Sequence, residues 1–314
     1  SDFFDLPRTY SKQYWAVVAE NDDGAIVGVG QITRFKTNIN GEEKWVAYMS
    51  DLRISRSASP EVHAEWLEVY ESLVKHLESP ESEEHCAHVI VAILSENTHA
   101  IQVFERRLKG IKHNNIRPYW TVSVFSTLLS KRTREGSVST TNLTQLESLD
   151  QPSLTMTDLP QGGHGRRLAV LDDNGTPMMG TTYWNFRGAR SLRVVNLRWA
   201  LRLGFKILNL FSSRHFSEER PWIMNGLGNL VWNRTATIDE KANALAKAIH
   251  FAFEDDETPF HILNISLTDR NLCRQVQRCF PISRLTAGWI IEVTSSDRMA
   301  TLPSENLTFE GAFL

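Results

Sequence analysis

The sequence predicts an α/β protein of the α+β kind, with two tandem domains that each hold a mixed, mostly antiparallel sheet flanked by helices. Strand hairpins, an amphipathic helix and a short buried strand follow one another within residues 1–130, which predicts the first domain. A polar stretch at 131–140 is typical of a linker, and elements of the same kinds return over 141–314. A unit of this length is too long for a solenoid repeat, so the pattern favours two copies of one domain.

The composition is that of an ordinary globular protein, with 41% hydrophobic and 23% charged residues among 314. A net charge of −3 gives no support for nucleic acid or an anionic membrane as a partner. No apolar run approaches the ~20 residues that cross a bilayer, and we find no charged-then-apolar leader. The three cysteines lack metal spacing and fit a reducing compartment. We therefore expect a cytoplasmic protein with no metal, no nucleic acid and no membrane partner.

The first elements are hairpins followed by a helix. Two strand-like runs flank the turn sequence Asn-Asp-Asp-Gly at 21–24, and Asn40-Gly41 marks a second hairpin that leads into a strand at 45–54. From Glu61 onward, apolar residues recur at the spacing of an amphipathic helix, at Val62, Trp66, Val69, Leu73 and Leu77.

The stretch at 89–110 is the most informative part of the chain. It opens with an apolar run, Val-Ile-Val-Ala-Ile-Leu, of the kind expected for a strand buried on both faces. A Ser-Glu-Asn turn follows, and then a helix with Ala100, Phe104 and Leu108 on one side. A last strand near Trp120 completes the first half.

The second half repeats this order in weaker form. A short helix is predicted around Leu143, Leu146 and Leu149, and the Gly-rich stretch 161–165 predicts a loop. Further strands are expected at 167–182, 260–267 and 289–293, with an amphipathic helix at 240–253. The sequence Asp-Arg-Asn-Leu-Cys-Arg at 269–274 looks like a decayed copy of the turn at Asn97, with Asn271 as its counterpart.

Asn97 stands where the buried strand gives way to a helix, Ala100 comes three residues later, and an aromatic residue follows at Phe104. This arrangement resembles the GNAT superfamily of N-acetyltransferases, in which an Asn-x-x-Ala motif lines the thioester end of acyl-coenzyme A. The resemblance is close over residues 10–125 and weaker beyond. The chain is also similar to a poorly characterised bacterial group of tandem GNAT proteins. Where the family usually places a tyrosine acid, this chain has Phe104.

The resemblance also implies a loop that holds the pyrophosphate of coenzyme A, with the family pattern Arg/Gln-x-x-Gly-x-Gly/Ala. We match it to residues 59–64, where Ala64 keeps the last small position and Ser59 replaces the basic residue. Glu61 adds a negative charge where phosphates would lie. Arg53 and Arg56 could supply the missing positive charge, or they could be solvated surface residues.

The same resemblance implies a slot for the pantetheine arm between the strand edges at 51–54 and 93–95. A backbone N–H near Leu52 would then stabilise the oxyanion of the tetrahedral intermediate. Asp51 is the candidate base, acting through water, and the alternative is a buried carboxylate with a structural role. Tyr48 or Tyr119 could replace the missing tyrosine acid, or the thiolate could leave unassisted.

These inferences predict an acyl-coenzyme A-dependent N-acyltransferase that uses acetyl-CoA or another acyl-CoA and a small-molecule or peptide amine as acceptor. The alternatives are a non-catalytic binding or scaffold protein and an enzyme with a long-chain acyl donor. The predicted catalytic residues are Asp51, Tyr48 and Tyr119. The predicted cofactor-binding residues are Leu52, Arg53, Ile54, Ser59, Val62, His63, Ala64, Ser95, Asn97, Ala100 and Phe104. A basic cluster at Arg187, Arg190, Arg193, Arg198 and Arg202 could bind phosphates or an acidic substrate, or be a solvated face.

Overall fold

The architecture comes from a computed structural model that describes residues 13–39, 42–106, 110–126, 138–140, 149, 165–186, 191–193, 199–210, 216–218, 220–254 and 260–295. Within these residues the first half holds β1 (Gln13–Glu20), β2 (Ile26–Ile39), β3 (Glu42–Ile54), α1 (Pro60–Glu78), β4 (His88–Leu94), α2 (Thr98–Arg106) and β5 (Lys112–Phe125). This is the predicted order of hairpins, helix, strand, helix and strand. The Asn-Asp-Asp-Gly turn joins β1 to β2, and Gly24 adopts a φ of 74°, which favours glycine.

The second half holds β6 (Val138–Thr140), β7 (Gly165–Leu171), β8 (Pro177–Trp184), β9 (Ser191–Leu192), α3 (Trp199–Leu210), β10 (Trp222–Trp232), α4 (Ile238–Glu254), β11 (Ile262–Leu267), α5 (Arg270–Cys279) and β12 (Ser283–Thr294). From β7 onward the order of the first half returns, with β9 and α3 inserted before β10. β6 falls inside the predicted linker and pairs with β7. Of the helix predicted around Leu149, only that residue is described, and the loop at 161–165 lies outside the described residues except for Gly165, the first residue of β7.

The described strands form one continuous sheet rather than two. Its order is β1-β2-β3-β4-β12-β5-β11-β10-β8-β7-β6, and β9 pairs with β10 beside this path. Only the pairs β3–β4 and β10–β11 are parallel among these strands, so the sheet is mostly antiparallel as predicted.

The two halves exchange their last strands. β12 lies between β4 and β5 and pairs with both, while β5 pairs on its other side with β11 of the second half. Each half is therefore completed by a strand from the other. The predicted domain boundaries at 130 and 140 stay a prediction, because the strand exchange joins the halves across them.

Hydrophobic side chains cover both faces of the sheet. In the first half, α1 and α2 pack on one face together with Val89, Val91 and Ile93 of β4. The opposite face carries a smaller cluster that includes Ile90 and Ile290. In the second half, α4 and α5 pack over β5, β7, β8, β10 and β11 in the largest described core. Among the described residues, no helix combines the length and apolarity needed to cross a membrane.

Candidate active site

A V-shaped opening separates β3 from β4. The two strands pair in parallel only where residues 46–49 of β3 meet residues 88–91 of β4. Beyond that point β3 remains paired with β2, and β4 remains paired with β12. The facing edges of β3 and β4 therefore diverge and offer their backbone groups to another extended chain.

A β-bulge lies at the base of this opening. The register of β3 against β2 shifts between the pairs Ser50–Gln31 and Arg53–Val29, so that two residues of β3 stand opposite Gly30 alone. These two residues are Asp51 and Leu52. A bulge turns backbone groups away from the ladder, and here it does so where the strands separate. This is the position at which we predict an oxyanion-binding N–H.

Gly30 and Leu52 lie in close contact beside the bulge, since a Cβ on Gly30 would come within 2.8 Å of Leu52 Cδ2. Leu52 and Ile54 are half-buried and Arg53 is exposed. The side chain of Asp51 lies outside the described residues, so its role as base stays a prediction.

The segment predicted to bind the pyrophosphate, residues 59–64, is the start of a helix. Residues 59–64 are not a loop, because Ser59 is the N-cap of α1 and accepts a hydrogen bond from the Val62 N–H at 3.3 Å. Pro60 opens the helix, so Val62, His63 and Ala64 belong to its first turns. Ser59 and Pro60 are a local signal for a helix start. Arg56 lies in the loop just before this helix and is exposed.

The loop before α1 has a defined internal structure. Ser55 Oγ accepts from the Ser57 N–H at 3.2 Å and lies 2.7 Å from Ser57 Oγ. The Ala58 N–H donates to the Ser55 carbonyl at 3.2 Å. These bonds hold the loop that carries Arg56 in a tight turn.

The second half repeats this loop residue for residue, a repeat that was not predicted. Ser-Arg-Ser-Ala-Ser at 55–59 corresponds to Asn-Arg-Thr-Ala-Thr at 233–237, before α4. Asn233 Oδ1 accepts from the Thr235 N–H at 3.0 Å, and the Ala236 N–H donates to the Asn233 carbonyl at 3.1 Å. Thr237 Oγ1 accepts from the Glu240 N–H at 3.3 Å, as Ser59 does from Val62. A register shift in β10 between Gly228 and Val231 repeats the bulge as well.

The two helix starts differ in one respect. Glu240 closes a capping box, because its carboxylate accepts from the Thr237 N–H at 2.7 Å and from its hydroxyl at 2.8 Å. These bonds lower the pKa of Glu240 below its ordinary value. In the first half, Val62 holds the corresponding position and cannot form this box. Glu61 lies nearby, and hydrogen bonds from its own backbone N–H and from Ser59 lower its pKa.

The Asn-x-x-Ala motif begins α2. Asn97 Oδ1 accepts from the Ala100 N–H at 3.1 Å, so the motif forms a helix cap, and the exposed side chain also offers its amide NH₂ to solvent. In the second half Asp269 caps α5 in the same way, accepting from the N–H groups of Asn271 and Leu272. Asp269 is therefore the counterpart of Asn97, and the assignment of Asn271 was wrong.

Phe104 does not face the opening. It is buried in the core beneath α1, and its ring meets that of Tyr70 edge-on with centroids 5.6 Å apart. Ala100 packs against the same core. Ser95, at the end of β4, is half-buried and donates its N–H to the Ala287 carbonyl at 2.9 Å.

Tyr48 and Tyr119 lie on the opposite face of the sheet from Phe104 and are both buried. Tyr48 stands opposite Ile90, within the paired part of β3 and β4. Tyr119 lies nearer the opening. It pairs with Gly288 of β12, and Gly288 pairs on its other side with Leu94 at the end of β4.

Gly288 makes room for the Tyr119 ring. A Cβ on Gly288 would lie 2.4 Å from Tyr119 Cζ and 2.5 Å from its hydroxyl oxygen. Burial raises the pKa of the Tyr119 phenol, so this group stays protonated at neutral pH. A protonated phenol can act as an acid and not as a base.

His88 and Glu292 form a buried hydrogen-bonded pair that was not predicted from the sequence. His88 Nδ1 lies 2.5 Å from Glu292 Oε1, and both residues are 5% exposed. Glu292 stands on the exchanged strand β12, 204 residues further along the chain. No local sequence signal could pair these residues. The pair ties β12 to the start of β4.

No family model matches the sequence, and no curated protein matches it either. Solved structures do match. A GCN5-related N-acetyltransferase from Kribbella flavida is 12% identical over 93% of both chains, with a TM-score of 0.52. One from Sphaerobacter thermophilus is 10% identical over 92% of this chain and 82% of its own, with a TM-score of 0.51. N-myristoyltransferase from Saccharomyces cerevisiae, solved with bound myristoyl-CoA, is 6% identical over 90% of this chain and 70% of its own, at a TM-score of 0.50. The chain thus has the GNAT fold, as predicted.

Proposed function

We propose that the protein is an acyl-CoA-dependent N-acyltransferase that binds its donor in the opening between β3 and β4. The observation that carries this proposal is the divergence of two parallel strands beside a bulge, within a sheet that is otherwise continuous. The diverging edges of β3 and β4 leave backbone N–H and C=O groups without a partner strand. An extended pantetheine arm could form hydrogen bonds with these groups in the way that an added β-strand does. The fold match supports the same assignment.

The residues around the opening fit each part of the donor. Arg56 and the helix start at Ser59, which has no capping box, would meet the pyrophosphate, since a helix N-terminus and a guanidinium both favour phosphate. Arg53, His63 and Ala64 lie beside this start and complete the proposed contact surface. The Asn97 amide would border the thioester end.

The chemical step is assigned to three groups. The bound donor supplies an activated thioester carbonyl. The backbone N–H at Leu52 would donate to the developing oxyanion, and Tyr119 would give its proton to the leaving sulfur. Asp51 would accept the proton of the attacking amine through water. Tyr48 lies deeper in the paired strands and is the weaker candidate.

The donor is proposed to bind only in the first half. The second half repeats the loop and the bulge, and a carboxylate lies at both helix starts, Glu61 beside Ser59 and Glu240 on Thr237. The halves differ at the next helix start, where Asn97 can donate from its amide NH₂ whereas Asp269 offers only acceptor oxygens.

A short acyl group, such as acetyl, is favoured over a long chain. The apolar recess beside Leu52, between Trp66, Tyr70 and Leu73, has a cavity volume of about 10 Å³. That volume holds roughly one water molecule.

The matched loops provide the test. Isothermal titration with acetyl-CoA should give one site per chain, and Arg56→Ala should weaken binding roughly tenfold or more, the value of a lost hydrogen bond to a charged group. Arg234→Ala, at the same place in the second loop, should leave the affinity unchanged. Equal effects of the two variants would contradict the assignment to the first half.

Release of free thiol with a panel of amines then separates an enzyme from a binding protein, because a scaffold would bind donor without turnover.

A further inference from the structure

Helix α3 carries an exposed apolar stripe. Trp199, Leu203, Ile207 and Leu210 recur at spacings of four, four and three residues, which places them on one face. They are 79%, 52%, 51% and 77% exposed. Exposed apolar groups are common singly, whereas a contiguous row of four indicates a contact surface.

The orientation of this stripe is fixed by the other side of the helix. Phe205 packs inward, with its ring centroid 4.8 Å from that of Trp222 and 5.7 Å from that of Phe216. Asn209 exchanges two hydrogen bonds of 2.8 Å with the backbone of Phe216. The helix is therefore anchored to β10, and the exposed row faces outward from an ordered support.

The charge around the stripe is strongly positive. α3 contains no acidic residue, and its flank carries exposed Arg202 and Lys206. Arg193 and Arg220, on either side of the helix in sequence, are exposed as well. Glu218 pairs with Arg202 at 2.7 Å and neutralises one of these charges. Among the described residues between 191 and 220, four Arg or Lys and one Glu give a net charge of +3, in a chain whose total is −3. Arg187, Arg190 and Arg198 of the predicted basic cluster lie outside the described residues.

We propose that α3 docks on the surface of an anionic lipid bilayer, with its apolar stripe at the level of the headgroups and its basic flank against lipid phosphates. An amphipathic helix with Trp and Leu on one face and Arg or Lys beside them is the pattern of interfacial binding. The local charge complements an anionic surface, although the whole chain is acidic. A second copy of this chain fits less well, because a symmetric contact would bring two basic flanks together. This proposal does not depend on the acyltransferase assignment.

The test is flotation with vesicles that mix phosphatidylcholine and phosphatidylserine, compared with vesicles of phosphatidylcholine alone. The protein should float with the anionic vesicles and lose most of that binding when the salt is raised to about 0.5 M NaCl. Lys206→Glu should lower the partition coefficient by about fivefold or more, because each basic residue near such a surface contributes about that factor. The double variant Leu203→Glu, Ile207→Glu should lower it by roughly tenfold or more.

Ile26→Glu is the matched control, since Ile26 is 60% exposed but lies in the first hairpin. It should bind anionic vesicles like the wild type. All variants alter exposed side chains, so their unfolding midpoints should stay near that of the wild type. If the double variant unfolds, the vesicle binding of Lys206→Glu still tests the proposal. Absence of flotation, or equal flotation of wild type and stripe variants, would overturn the proposal. A concentration-dependent dimer that Leu203→Glu abolishes, without vesicle binding, would assign the stripe to a second copy and overturn it too.

Discussion

Replacing Glu292 with alanine should destabilise the folded protein by about 1–3 kcal/mol, the usual cost of leaving a buried hydrogen-bonding group without its partner. Glu292 and His88 are both 5% exposed and 2.5 Å apart, so the imidazole would lose its partner where water cannot replace it. For a large domain each kcal/mol corresponds to about 2–4 °C, which predicts a midpoint about 2 °C or more below that of the wild type.

Urea unfolding followed by circular dichroism measures this loss. The control is Glu96→Ala, because Glu96 also faces β12, at 4.0 Å from Arg284, but the two side chains of this pair are 78% and 67% exposed. An exposed pair contributes about 0–1 kcal/mol, so this variant should unfold near the wild type.

A double-mutant cycle with His88→Ala gives the coupling energy directly. If the buried pair ties β12 to β4, the double variant should lose clearly less than the sum of the single variants. A loss below about 1 kcal/mol for Glu292→Ala, or strictly additive losses in the cycle, would refute the reasoning.

Three further predictions concern the site and the pH dependence. Gly288→Ala should push the Tyr119 ring by about 1 Å and lower thiol release about 100-fold, and an unchanged rate would remove this tyrosine from the site. Tyr119→Phe should lower the rate about 100-fold or more without loss of donor affinity, as measured by titration. Burial lowers the pKa of His250, so the unfolded chain binds more protons and stability should fall as pH drops below about 6.5. His250→Asn should lose less stability than the wild type between pH 7 and pH 5 in urea unfolding, and equal losses would contradict this assignment.

Local signals predicted most of the first half. The turn at Gly24, the helical spacing after Glu61 and the apolar run of β4 each depend on neighbours close in sequence, and all three elements formed as expected. The same kind of evidence placed Asn97 at the start of a helix. Ser59-Pro60 is an equally local signal, and it marks the start of α1 where a loop was predicted.

Contacts between distant parts of the chain could not be predicted. The position of β12 depends on pairing with β4, which lies far earlier in the sequence, and nothing in either strand specifies this partner over another apolar strand. The His88–Glu292 pair follows from that exchange and was invisible for the same reason. The place of Tyr119 near the opening depends on its pairing with Gly288 of β12, which is another contact between distant residues.

The strand exchange also has a consequence for how the protein is made. During synthesis β4 and β5 emerge long before β12. The first half therefore lacks the strand between β4 and β5 until the last strand has been made. Unpaired strand edges invite aggregation, and contacts between sequence-distant strands form slowly. Each half expressed alone should therefore be poorly soluble, whereas co-expression of the two should restore a folded assembly. Any loss of β12, by early termination or by proteolysis, would remove the strand between β4 and β5 and so unfold the first half. This would happen even though every residue of β3 and β4 beside the opening is intact.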